Sequence, residues 1–525
     1  MSTRTRLNFE TVIVGAGPAG LQLAYHLKRA GRDHVVLERG QPGEFFRRYP
    51  RHRALLSINK RFTGYDDPEK NLRWDWNSLL TDPGDDGPTM RDFSTQYFPH
   101  ADELVAYLQA FAQHHGLPVR SGVEVQQISR IGDVFELDCG DAGVYRANRV
   151  VMATGVPRAA TPDLPGIELA ESYNDVSVDP DDFANQRVLI VGKGNSAFET
   201  ASNLLATSAS VHIASPHPLR FAWKTRFVGH LRAVNNDFLD TYRLKAQNVV
   251  IDADIVRLEK RDDGRIAVLF DYKHAREREE LLYDRVITCT GFAFDDAIFD
   301  SDCRPDLVVA GRFPAQTSTW ESVNVPDLFF AGAATQARDF KKTTSAFIHG
   351  FRYNTRALFR FLEERYHGVP FPSKPIAWNA AALTDLMIDR INRTSGLWQQ
   401  FGFLGDVFVQ DGDDARHYEE LPIAWVRESR LGEREHFVVT LEFGPAADDP
   451  FDFARPHRDA APLAHESEAL HPVVRHYLDG KHVGTHHLME DIAADWSDEV
   501  HVSSLRDWLT SRIEDGAASM AEGAE

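Results

Sequence analysis

The chain has 525 residues, too many for one ordinary core, so two or three domains are expected. Its formal charge of −20 is spread along the whole length, which argues against nucleic acid and anionic membrane surfaces as partners. No stretch approaches the roughly 18 apolar residues of a membrane helix, and neither end reads as a leader or a retention signal, so a soluble cytoplasmic protein is expected.

The first element is a complete strand, glycine turn, helix and strand, "TVIVGAGPAGLQLAYHLKRAGRDHVVLERG", from Thr11 to Gly40. "QPGEFFRRYPRHRALLSINKRFTG" follows as an irregular segment of interleaved aromatics and cations. Helical periodicity from His100 ends on Gly116, and strands are expected around Val123 and Val134. "NRVVMATG" reads as a buried strand ending at Gly155, before a proline-rich linker. A second strand–turn–helix–strand unit, "RVLIVGKGNSAFETASNLLATSASVHIAS", starts at Arg187. "YDRVITCTGF" and "DLFFAGAATQ" are two further strands that end in glycine turns, and a helix is expected from Ser345. After Pro372 the character changes to several strands with helices. The expected division is a first dinucleotide domain in two parts, 1–176 and 291–368, a second dinucleotide domain, 177–290, and an α+β appendage, 369–525.

Both glycine loops place unsatisfied backbone N–H groups at a helix N-terminus, where pyrophosphate binds. In the first, Gly15 permits the tight turn, Gly17 (followed by Pro18 and Ala19) lets phosphate approach, and Gly20 lets the helix pack on the strand. Glu38, 23 residues after Gly15, is placed to accept the ribose hydroxyls of an adenosine, with Arg39 beside it. The second loop has Gly192, Gly194, Asn195 and Ser196, with Ala197 in the third glycine's place. The same count of 23 lands on Ser215, followed by Arg220 and Lys224, a set suited to a 2′-phosphate. FAD is therefore expected in the first loop and NADPH in the second. Ala153, Thr154 and Gly155 mark a chain crossing, Gly332 a turn at the flavin or its pyrophosphate, and Val125 and Phe347 complete the expected cofactor set. Cys139, Cys289 and Cys303 form no CxxC pair, so neither a dithiol centre nor a metal site is expected.

The order of motifs resembles the two-dinucleotide-binding-domain flavoproteins, and the "GKGNSA" loop resembles the flavin-monooxygenase branch. Longer stretches, "YPRHRALLSINKRFTG", "ESYNDVSVDPDDFANQRVLIVGKGNSAFETA" and "FIHGFRYNTRAL", resemble the FAD-dependent oxidoreductase domain-containing family over roughly residues 10 to 365. Animal members of that family are lumenal quality-control flavoproteins. This chain departs from them in its ends, and from the monooxygenase signature in having Ala170 or Glu171 where a His is expected. The resemblance implies an α/β fold of two Rossmann-like domains plus the appendage. It also places the segment carrying Tyr49, Arg53, Ser57, Asn59 and Lys60 across the flavin, with His349 near the flavin rim. Asn59, Lys60 and His349 are the expected catalytic residues.

The expected activity is a monooxygenase that uses FAD, NADPH and O2. It would act through a C4a-hydroperoxyflavin on a small amine or amino-acid-derived metabolite, by N-hydroxylation. The alternatives are a non-oxygenating flavin reductase or NADPH oxidase, and a flavin-bearing interaction factor. No nucleic-acid or membrane partner is expected, and a homo-oligomer is left open.

Overall fold

The computed structural model describes residues 6–49, 51–245, 247–446 and 456–522. Residues 1–5 and 523–525, on which the reading of the two ends partly rests, lie outside the described residues. No helix among the described residues is long and apolar enough to cross a membrane.

The first domain is built on β1 (Arg6–Val14), α1 (Pro18–Arg29) and β2 (His34–Glu38). Helix α2 (Ala101–His114) and strands β3 (Val119–Ser121), β4 (Gln127–Ile131), β5 (Val134–Asp138) and β6 (Val144–Met152) extend it. The sheet order is β3-β2-β1-β6-β5-β4. Parallel pairing sets Val14 opposite Leu37 on one side and Met152 on the other. The run Val12–Val14 is buried because α-helices and loops cover both faces, as parallel sheets require. The strand expected around Val123 lies at Val119–Ser121 instead, although the Val123 N–H still donates to Glu38 O at 2.9 Å.

The second domain repeats the plan with β7 (Arg187–Val191), α3 (Asn195–Leu204), β8 (Ser210–Ser215), β9 (Val249–Asp252) and β10 (Arg285–Thr288). The order is β9-β8-β7-β10, and the short strand Glu171–Ser172 pairs in parallel with β10. The second domain therefore begins before the expected residue 177. A three-stranded antiparallel sheet spanning 254–283 packs beside it.

The chain then returns to the first sheet as β11 (Leu328–Phe330), parallel to β6. The helix expected from Ser345 is present as α4 (Ile348–His367), and a 3-10 helix over Gly332–Arg338 lies between it and β11. Between the two helices stands Asp339, whose buried carboxylate accepts from Ser345 N (3.2 Å) and the Thr343 hydroxyl and so turns the chain.

The last region has a six-stranded antiparallel sheet of β12 (Lys374–Ala377), β13 (Leu404–Asp411), β14 (Asp414–Pro422), β15 (His436–Phe443), β16 (Leu470–Leu478) and β17 (Lys481–His487). Their order is β12-β14-β13-β15-β16-β17. Helices α5 (Ala380–Arg393) and α6 (Glu499–Glu522) close one face through Met387, Ile391, Leu505 and Leu509 against Phe408 and Phe437. The other face is closed by the first domain: Val407, Val409, Leu421 and Val438 share one core with Leu358, Phe361 and Leu362 of α4. The region expected as a separate appendage thus has α4 as a wall in common with the first domain.

Candidate dinucleotide and flavin site

The two glycine loops have closely similar backbones. Gly15 and Gly192 sit at φ +104° and +126°, in the region that favours glycine. Each loop N–H is tied to the end of the neighbouring strand, Gly15 to Leu37 O and Gly192 to Ala214 O, both at 2.8 Å. A side chain at Gly15 would press on Ala153 O, and one at Gly192 would collide with Cys289 O. These glycines let the crossing strands β6 and β10 pass directly behind the loops. Thr154 and Gly155 leave the first crossing, with Gly155 at φ +68°. At the third position a Cβ on Gly20 would collide with Gly15 O, whereas Ala197 is accommodated and fully buried.

Helices α1 and α3 begin at Gly17 and Gly194, neither of which supplies a capping side chain. Their first-turn N–H groups are left for another acceptor. Pro18 at the start of α1 loses no needed donor. A Cβ at Gly17 or Gly194 would meet nothing within 4 Å, so the space in front of both helix ends is open. Gly332 (φ +76°) closes over the first loop, where a Cβ would press on the Ala19 methyl. These features fit a pyrophosphate at each loop.

The ribose ends differ. Glu38 is buried and already holds the loop, accepting from Ala16 N (2.8 Å) and Gly40 N (2.9 Å), which leaves further lone pairs for hydroxyls. Arg39 is exposed beside it, and Val125 packs partly buried against the core of β1 and β2. At the second loop Ser215 is half-buried and its carbonyl is taken by Lys193 Nζ at 3.0 Å. Lys193 also donates to His217 O at 3.1 Å and pairs with Asp252. Sequence reasoning missed Lys193 because it lies between the two glycines, outside the counted positions. Arg220 is exposed on the following loop, and Lys224 is exposed in the short helix Ala222–Thr225.

The Asn195 side chain also has a structural task. It donates to His230 O (2.8 Å) and accepts from Arg232 N (2.9 Å) and the Asn235 amide (3.2 Å), so it pins the 229–235 loop. Ser196 lines a small cleft with Tyr173, Cys289 and Phe292. Tyr49 is buried there, stacked on Tyr173 (6.5 Å) and edge-on to Phe292 (5.9 Å), so it joins the two domains.

In the segment expected to cross the flavin, Arg53 is held by Asp102 and by Phe46 O (2.8 Å) and braces the loop against α2. Ser57 is half-buried, and Lys60 is exposed, away from the buried groups expected to share its task. Asn59 is buried; its amide donates to Ser94 O (3.0 Å) and Gln96 O (3.2 Å), and its Oδ1 has no partner. The backbone next to it leads to Trp76, whose N–H donates to Ile58 O at 2.9 Å.

Trp76 stacks on His349 at 4.1 Å, and Phe347 stacks on the same imidazole at 5.7 Å. Both His349 nitrogens are buried without a partner. Burial first, then the charges of Arg352 and Arg232, hold His349 well below the ordinary imidazole range, so it is neutral. Arg232 reaches Leu56 O (2.7 Å) from the second domain and lies over Trp76 at 5.6 Å. Unpartnered buried polar atoms at Asn59 and His349, next to stacked aromatics and the start of α4, suit a polar-edged flat ring such as a flavin.

A mouse protein named FAD-dependent oxidoreductase domain-containing protein 2 is 36% identical over 96% of this chain and 84% of its own length. The chain belongs to the FAD-dependent oxidoreductase domain-containing family. The profile described as pyridine nucleotide-disulphide oxidoreductase matches residues 12–332, the extent of the two Rossmann-like domains. A bacillithiol disulfide reductase of Staphylococcus aureus shares the fold (TM-score 0.52, 18% identity, 69% of this chain and 99% of that one). So does the FAD-bound cadaverine monooxygenase of Erwinia amylovora, from desferrioxamine biosynthesis (TM-score 0.53, 14% identity, 68% and 95%). Both matches span about two thirds of this chain, whereas the mouse family member also covers the C-terminal sheet.

Proposed function

We propose that this family member is a monooxygenase that uses FAD and NADPH and hydroxylates the nitrogen of a small amine or amino-acid-derived metabolite. The overall balance is amine, O2, NADPH and a proton giving hydroxylated amine, NADP+ and water. The observation that carries the reading is the pairing of two dinucleotide cradles with the buried, unpartnered polar atoms of Asn59 and His349, none of them a thiol. Cys139, Cys289 and Cys303 are all buried and unpaired, and burial pushes their thiols up to about 11, 12 and 11. No dithiol stands ready for disulfide exchange.

The first loop, Glu38 and Gly332 would hold FAD, which when bound supplies the hydride-accepting and oxygen-activating chemistry. The second loop would hold NADPH, with Arg220 and Lys224 reading its 2′-phosphate. Neutral His349 presents a donor and an acceptor without a charge, and Trp76, Phe347 and Arg232 exclude water around it. O2 and the small amine are the partners of this reading. Neither Ala170 nor Glu171, the two positions where the monooxygenase signature would have His, is an imidazole, and Glu171 is ion-paired to Arg285. That favours a second reading, an NADPH oxidase that releases peroxide.

The test is turnover of the purified yellow protein over a panel of amines. One hydroxylated amine per NADPH is expected; stoichiometric peroxide with every amine refutes oxygenation. Replacing Arg220 and Lys224 by Ala is expected to erase a preference for NADPH over NADH, and an unchanged preference refutes their role.

A further inference from the structure

The last turns of α1, the end of α2 and the loop "DPGDDG" (Asp82–Gly87) enclose a surface cavity of about 560 Å3, apart from the dinucleotide cradles. Tyr25, Lys28 and Arg29 line it from α1, whose first turn is the one that faces the phosphate loop. His114 closes α2 and His115 is its C-terminal cap. Asp85 enters from the loop. One ligand atom from each of Asp85, His114 and His115 lies within 4.8 Å of the other two.

Three further features make this more than a chance meeting of polar side chains. His115 Nε2 has no hydrogen-bond partner, although its side chain is only 9% exposed. It stands 3.9 Å from Asp85 Oδ1. The loop makes room for it: a Cβ on Gly87 would lie 2.6 Å from that same nitrogen. The carboxylate is also oriented from behind, since the Tyr25 hydroxyl donates to Asp85 Oδ2 (3.0 Å) and Gly87 N to Asp85 Oδ1 (2.9 Å). A ligating carboxylate held by such outer hydrogen bonds is a recurring feature of metal centres. The Tyr25 ring is edge-on to His115 at 4.8 Å, which fixes the imidazole plane.

The nearby cations are already used. Arg29 pairs with Asp82 at 3.0 Å, and Lys28 donates to Gly116 O. Asp86 is almost fully exposed, 3.6 Å from His114, and is a candidate fourth ligand. Two imidazoles and a carboxylate form a borderline donor set that suits Zn2+ at roughly 2.0–2.2 Å, four-coordinate. Half-exposed His114 needs only a side-chain rotation to close the set.

The geometry points to a divalent transition-metal site of the zinc class at Asp85, His114 and His115, with Tyr25 as its positioning residue. Bound there, the ion would fasten the 82–87 loop to the end of α2.

The test uses full-length, flavin-loaded protein, stripped with a chelator and titrated with Zn2+ by calorimetry. Co2+ serves as the spectroscopic probe. One Zn2+ per chain is expected, with a tetrahedral Co2+ spectrum. His114→Gln changes a half-exposed side chain and is expected to remove that stoichiometric binding while leaving the flavin spectrum and the metal-free melting temperature unchanged. Tyr25→Phe is expected to weaken binding about tenfold, the usual effect of losing an outer partner. No binding at millimolar Zn2+ overturns the proposal. So does binding that His114→Gln leaves intact, because the chain has 22 histidines and the ion would then sit elsewhere.

Discussion

The same substitution placed in each glycine loop separates the two nucleotide assignments. Gly17 (φ −76°, ψ −177°) and Gly194 (φ −91°, ψ −175°) have extended backbones that any residue adopts, and a Cβ at either meets nothing within 4 Å. Alanine there costs the helix start under about 1 kcal/mol, partly offset by a less flexible unfolded chain. A melting-temperature change below about 4 °C is expected for the apoprotein. The ligand sees something different. A methyl group in front of the helix end holds pyrophosphate away from the N–H donors, and each lost bond to a charged acceptor is worth about 1.5–3 kcal/mol. The expected loss of affinity is on the order of 10- to 100-fold. Gly17→Ala should purify with depleted FAD. Gly194→Ala should keep full FAD and show a raised KM for NADPH. FAD content is read from the visible spectrum and KM from initial rates. FAD loss in Gly194→Ala, or an unchanged KM in it, refutes the division of the loops.

Three further outcomes follow from buried groups. Burial raises the Glu199 carboxyl to about 7 from its ordinary 4.5, with Asn235 as its donor at 3.3 Å. The folded chain keeps this proton where the unfolded chain has released it, so stability falls as pH rises from 4.5 to 7, by up to about 3 kcal/mol. Glu199→Gln should match the parent at pH 4.5 and melt higher at pH 8; equal melting at pH 8 refutes the shift. Arg352 is fully buried and donates to Asp75 O (2.9 Å), Ser78 O (2.7 Å) and Leu72 O (2.9 Å). Arg352→Met strands those carbonyls and should cost about 3 kcal/mol or more in denaturant unfolding. Lys193→Ala frees Ser215 O and His217 O and should raise KM for NADPH several-fold with FAD content unchanged, read in the same two assays.

The two cradles were legible because a glycine loop is a local device: strand, turn and helix lie within 25 residues, and the spacing to Glu38 or Ser215 is a property of the sequence. The candidate flavin site was legible only in part. Asn59 and His349 were named from the sequence, but Trp76 and Arg232, which pack beside His349, come from segments far apart in sequence. The side-chain role of Asn195 was not legible because loop motifs say nothing about which side chain the 229–235 segment will capture. The scarcity of cysteines spoke only to thiolate metal sites; Asp85 and His115 meet because α2 ends beside the 82–87 loop, a tertiary fact. The 3-10 turn over Gly332–Arg338 and the fold of the chain up to α4 were not legible, because Asp339 shapes them through buried hydrogen bonds.

Helix α4 is a structural hinge pin between chemistry and scaffold. His349 stands in its first turn, and Leu358, Phe361 and Leu362, further along, are embedded in the core of the C-terminal sheet. Near its start, Gln400 of the C-terminal region donates to Asn354 Oδ1 (2.8 Å) and Ser345 Oγ (3.0 Å). Loosening that sheet would tilt or fray the helix that carries the imidazole, so damage in the C-terminal region should be visible as a change in the flavin spectrum. The coloured cofactor would thereby report the integrity of a part of the chain it does not touch. Residues 369–525 expressed alone would present an uncovered apolar face to solvent, which makes aggregation their expected fate.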